Sequence, residues 1–195
     1  MPVSKMKKFL TALSALTALA AAEPHTHDGF FMNYAVGAGY QDYKIRSGNR
    51  EMEIDGVASE FDIKIGAAFS PGMIVHFTVL SIENENELSY EGDTYPIDGI
   101  TSILFGAGAT HYTPANVFFS FSVGFVQTSS ALDANFDFKE KNKGIGLEAE
   151  VGKEWWVGYE WGLGGAIAFT YIKNFQKQHS SSGYGFSLML SLTYN

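Results

Sequence analysis

The stretch Gly185-Phe-Ser-Leu-Met-Leu-Ser-Leu-Thr-Tyr-Asn195 decides the fold. Phe186, Leu188, Leu190, Leu192 and Tyr194 fall on one face, and Gly185, Ser187, Met189, Ser191 and Thr193 on the other. Period two means a β-strand whose two faces meet different surroundings, because successive Cβ atoms point to opposite sides. Working back through the chain, the same alternation recurs near 161–172, 144–153, 117–127, 99–112, 74–82, 60–70 and 30–43. Eight strands are therefore expected. Ser70-Pro-Gly-Met73 and Thr113-Pro-Ala-Asn116 read as tight turns, with Pro where a β-turn favours it. A third short connection covers 153–160. Longer polar segments at 44–59, 83–98, 128–143 and 173–182 alternate with these turns. All five prolines lie outside the expected strands, as ladder hydrogen bonding requires.

The N-terminus supplies a second signal. Lys5, Lys7 and Lys8 precede an apolar stretch from Phe9 to Ala22 that ends Ala20-Ala21-Ala22. This has the layout of a secretory signal peptide, with cleavage expected after Ala22. No cysteine follows, so lipoprotein processing is excluded. Residues 1–22 are read as the signal peptide and 23–195 as one barrel domain. Without the three signal lysines, 10 basic and 21 acidic residues remain, a formal charge of −11. Such a balance argues against nucleic acid as a partner. With no cysteine, neither disulfides nor thiolate metal sites contribute.

Which face is inside follows from the polar side. A soluble barrel holding an apolar ligand would carry charge on its outer face. Here the polar faces hold mostly Gly, Ser, Ala and Thr, and charged residues are only 17% of the chain. Those faces suit a narrow lumen, and the uncharged apolar faces suit lipid. The fold class is therefore all-β: an eight-stranded antiparallel transmembrane β-barrel, with short periplasmic turns and longer extracellular loops. Trp155, Trp156, Tyr159 and Trp161 are read as an aromatic girdle on the periplasmic side. Tyr40, Tyr43, Tyr171 and Tyr184 are read as its counterpart at the opposite rim.

Residues 29–195 resemble the small outer-membrane barrels of the OmpA transmembrane-domain and opacity-protein type. His111-Tyr-Thr-Pro-Ala-Asn-Val117 and Gly152-Lys-Glu-Trp-Trp-Val-Gly-Tyr-Glu-Trp-Gly-Leu-Gly164 resemble a subgroup of them. The likeness implies a fold and a place in the outer membrane of a Gram-negative cell envelope, and no activity. It implies outer-membrane lipid and lipopolysaccharide as surroundings, and the barrel-assembly machinery as a partner during biogenesis. Barrels of this type usually end on an aromatic residue; here the aromatic, Tyr194, is penultimate. A monomer with no cofactor is expected, and the extracellular ligand is unspecified.

Among candidate sites, the register sends Asp62, Lys64, Glu148 and Glu150 into the lumen. They read as a structural ion-pair cluster, with a gate or narrow ion path as the functional alternative. Three carboxylates against one lysine require water or a cation to complete the site. His25-Thr-His27-Asp28 offers imidazoles, yet Pro24 lacks the amide an amino-terminal copper site needs, so it reads as a short solvated leader. The acidic run Glu83, Glu85, Glu87, Glu91, Asp93 and Asp98 lacks calcium-loop spacing and reads as a solvated loop. His179-Ser180 is a weak hint of a lipid hydrolase; His76 and His111 fall nearer the periplasmic ends. No catalytic or metal residue is assigned. A structural or surface-interaction role is expected, with a lipid-modifying enzyme and a narrow pore as alternatives.

Overall fold

The computed structural model describes residues 25–47, 50–84, 87–90, 93–96, 100–130, 141–175 and 179–195. The expected signal peptide lies outside them. Among the described residues there are ten strands in chain order. They are β1 (Phe30–Ser47), β2 (Arg50–Ser70), β3 (Met73–Asn84), β4 (Glu87–Tyr90), β5 (Asp93–Pro96), β6 (Ile100–Tyr112), β7 (Val117–Ser130), β8 (Lys141–Trp156), β9 (Trp161–Phe175) and β10 (His179–Tyr194). Eight of them form the ring β1-β2-β3-β6-β7-β8-β9-β10, all antiparallel, and β1 pairs β10 to close it. The protein is an eight-stranded antiparallel closed barrel. The small β4–β5 hairpin attaches to β2 at Glu53 and Ile54, beyond the end of β3.

Each strand alternates as its sequence predicts. Phe69, Phe77, Phe125, Leu188 and Leu190 point outward and are more than two-thirds exposed. Their neighbours Ala68, His76, Thr78, Gly124, Ser187, Met189 and Ser191 point inward. Closure leaves no sheet edge within the ring, so the backbone polar groups are paired strand to strand.

The strands run further than the polar segments suggest. β1 and β2 pair without interruption out to Ser47 opposite Arg50, and β9 and β10 out to Phe175 opposite Ser180. The segment 44–59, expected as a loop, is mostly a two-stranded extension, and 83–98 contains β4 and β5. The reason is that ladder hydrogen bonding continues beyond the apolar belt. There Glu53 and Asp55 are exposed while Ile54 and Ala58 are buried, the reverse of the belt's pattern, so the apolar-outward signal stops although the strands do not. Lys44 opposes Glu53 in this extension, with Nζ 2.9 Å from Oε1. The Glu53 carboxylate, and then the charge of Asp42, hold the Lys44 ammonium above its ordinary value.

At the opposite end the connections are tight. Gly72 has φ 74°, the positive value that a type II turn requires after Pro71. Asn116 takes φ 56° in the second turn, and Thr113 Oγ1 accepts from the Val117 amide. The third turn is shorter than expected, because β8 continues to Trp156 and Val157 donates to the Trp161 carbonyl. We call these the turn end and the loop end.

Candidate functional site

The lumen is a stack of layers from the turn end upward. The floor joins the segment before β1 to the end of β10. His27 is buried, its ring stacked on Tyr112 at 3.5 Å and 5.0 Å from Trp156. Its Nδ1 lies 3.1 Å from Asn195 Oδ1, while Asn195 Nδ2 and Tyr112 Oη donate to Glu154. Tyr194 faces outward against Trp161, and Asn195, of the opposite parity, turns into the mouth, its backbone amide donating to the Glu160 carbonyl. Two expectations are corrected here. The leader at His25–Asp28 is not simply solvated, since His27 caps the lumen. Trp156 faces that cap, whereas Trp155, Tyr159 and Trp161 are exposed around the rim. Trp156 shares inward parity with Glu154, and the notion of a turn covering 153–160 had hidden that parity.

Phe31, Ile74, Tyr112 and Phe118 form an apolar layer above the floor. At the loop end Tyr43, Ile54, Ala58, Leu80, Ile82, Ile100, Leu104, Val126 and Ile172 form a larger one. The lumen is thus more apolar than its small and polar residues suggested. Tyr43 belongs to this upper layer and not to the outer girdle: its hydroxyl meets Ser181 and accepts from Asn174. Tyr40 and Tyr184 do face outward, their hydroxyls donating to Asp55 and Asp42.

Between the apolar layers lies the charged one. Asp62 and Lys64 sit on β2, Glu148 and Glu150 on β8. In the eight-strand ring these two strands are four places apart either way, so the pairs face each other across the lumen. Lys64 Nζ donates to Glu150 Oε2 at 2.7 Å and to Asp62, and lies 3.2 Å from Glu148 Oε2. All four residues are buried, Asp62 and Glu148 to within 1% of completely. The expected cluster is therefore brought together by four side chains on two opposed walls. A fifth charged group, Glu60, also points inward from β2 and is buried. The alternation of β2 places it there, at the first residue of the expected strand 60–70 and with the same parity as Asp62 and Lys64.

Beside this layer runs a hydroxyl network. The His76 ring nitrogens lie 3.0 Å from Thr78 Oγ1 and 3.0 Å from Thr110 Oγ1. Thr78 contacts Ser122, and Thr110 donates to Ser120. Gly108 makes room for the imidazole: a Cβ there would sit 2.7 Å from His76 Cε1. Both His76 nitrogens engage threonine, so the geometry supplies no serine–histidine–acid relay at this point. The side chains of His179 and Ser180, and those of the acidic segment beyond Asn84, lie outside the described residues. His111 is exposed near the turn end.

No protein-family model matches the chain, and no curated protein sequence does. Solved structures match in fold. The outer membrane protein OprG of Pseudomonas aeruginosa superposes with a TM-score of 0.54 at 10% identity, covering 86% of this chain and 96% of that one. The outer membrane protein AlkL, determined in DMPC lipid bilayers, gives 0.52 at 12% identity, covering 90% and 94%. The structural neighbours are eight-stranded outer-membrane barrels, and the fold of this chain is theirs.

Proposed function

We propose that the chain is an integral outer-membrane barrel with a closed lumen that carries a surface-interaction sheet on its loop end. The observation that carries this reading is the pairing of an outward apolar belt with a lumen filled by the floor, two apolar layers and the charged layer. A belt with Phe69, Phe77 and Phe125 each more than 75% exposed is unfavourable in water and suits the hydrocarbon region. The likeness in fold to outer-membrane proteins supports the location. Residues 1–22 then act as a cleaved export signal, and the even strand number sets both barrel termini on the periplasmic side.

The layers across the lumen make a passive pore the weaker reading. What remains available for interaction is the loop end. There β1, β2, β4 and β5 form a continuous sheet beyond the belt, and rigid scaffolds commonly present binding surfaces in this way. The test is protease shaving of intact cells expressing the chain with an epitope inserted at 131–140. Loss of the epitope from intact cells, with a barrel core that still migrates faster unboiled than boiled, is expected. An epitope protected until the outer membrane is permeabilised would overturn the orientation, and with it the surface role.

A further inference from the structure

The charged layer is short of positive charge. Glu60, Asp62, Glu148 and Glu150 bring four carboxylates and Lys64 one ammonium, a formal charge of −3 among buried groups. Lys64 satisfies only part of them. Oε1 of Glu148, both oxygens of Glu60, and Oδ1 of Asp62 have no hydrogen-bond partner, and Glu148 Oε2 meets only the Lys64 ammonium at 3.2 Å. Buried carboxylate oxygens are rarely left so, because removing them from water is costly without a cation or donor.

The spacing fits an ion. One oxygen each from Asp62, Glu148 and Glu150 all lie within 4.8 Å of one another. That is about twice the 2.3–2.6 Å bond a hard cation makes to oxygen, so one ion can reach all three. A second observation is independent of the acids. The Ser191 hydroxyl is 6% exposed and has no partner. It lines a cavity together with Lys64, Glu150, Asn33, Thr110 and Ser120. The space there for water centres is about 10 Å³, room for about one water.

We propose that this layer is an oxygen-ligand site for one divalent cation of the calcium, magnesium and manganese class. Asp62, Glu148 and Glu150 supply the charged ligands, and water completes the shell. Hard cations of this class combine carboxylates with retained water in this manner. Lys64 Nζ now stands among the same oxygens, so it is a competitor. On metal binding the ammonium keeps Glu150 and moves into the cavity beside it, where the unpartnered Ser191 hydroxyl can accept from it. The site joins opposite walls of the barrel, and its ion would enter during folding, before the floor closes. The surface role proposed above is not needed for this inference.

The test uses Mn²⁺ alone. The full chain is refolded into detergent micelles free of lipopolysaccharide with Mn²⁺ present, then desalted through EDTA, and retained metal is read by electron paramagnetic resonance and elemental analysis. Folding is checked by heat-dependent gel mobility. About one retained Mn²⁺ per folded chain is expected, with loss in Glu148→Gln and in Asp62→Asn. It should persist when Glu83, Glu85, Glu87 and Glu91 are changed to Gln. Lys64→Met, which removes the competitor, should retain metal through a longer chelation. No Mn²⁺ retained by the folded wild-type chain would overturn the proposal, leaving protons to balance the layer. So would metal lost with the loop glutamates and kept in the folded Glu148→Gln and Asp62→Asn variants. The wild-type result decides even if a layer variant does not fold.

Discussion

Lys64 shows how much one side chain can hold in a closed lumen. It is 2% exposed and reaches carboxylates on both walls. Its replacement by methionine leaves like charges facing one another without a counter-ion, which costs about 3–5 kcal/mol when a buried pair is broken. Lys64→Met should therefore lower the urea midpoint of the refolded barrel in metal-free detergent. An unchanged midpoint would show that the layer is already neutral. His27 is the corresponding residue of the floor. Alanine there removes a ring stacked on Tyr112 and the contact with Asn195. A loss of about 1–2 kcal/mol is expected from one aromatic contact and one hydrogen bond. A solvated leader would give no change in the same unfolding curve.

At the scale of the element, the turns and strand faces impose different demands. Gly72 combines a positive φ with close approach: a Cβ would lie 2.8 Å from the Tyr112 carbonyl oxygen. Gly72→Ala should cost about 1–2 kcal/mol from the left-handed conformation alone, read as a lowered midpoint of heat-induced mobility change. On β10 adjacent residues divide by face. Leu188 is 69% exposed on the belt and Met189 is 2% exposed inside. Leu188→Arg should destabilise the barrel in lipid vesicles by about 2–4 kcal/mol if it lies near the bilayer centre. The same change should cost far less in micelles, whose headgroups can follow the charge. Equal costs in both would argue that this face does not meet a bilayer core.

For the whole molecule, the layers across the lumen predict the electrical behaviour. The wild-type barrel in planar bilayers should show no steady conducting state, and Glu148→Gln should not create one. A steady ohmic conductance in the wild type would mean that the apolar layers at Leu80, Leu104 and Val126, or at Phe31 and Phe118, part in the membrane. The barrel also separates stability from surface chemistry, because among the described residues the β4–β5 hairpin pairs only with β2 and takes no part in closure.

Much of this was legible in order along the chain. Period two in Phe186–Tyr194 and its seven counterparts determined the eight barrel strands and their inward and outward faces, because alternation follows from backbone geometry alone. It also sent Asp62, Lys64, Glu148 and Glu150 to one side of the wall. Beyond the belt, as at Glu53 and Asp55 around buried Ile54, the polar face turns outward, and the apolar-outward rule does not mark the strand extensions. Only the tertiary structure decided that β2 and β8 stand opposite each other, and that Lys64 therefore answers acids 84 and 86 positions away. It alone placed His27, Trp156 and Asn195 in one floor and gathered Tyr43 with Leu104 and Val126. Alternation tells a side chain which side of its own strand to take. Ring closure and strand stagger set which residues meet across the lumen, and those are properties of the whole circuit of hydrogen bonds.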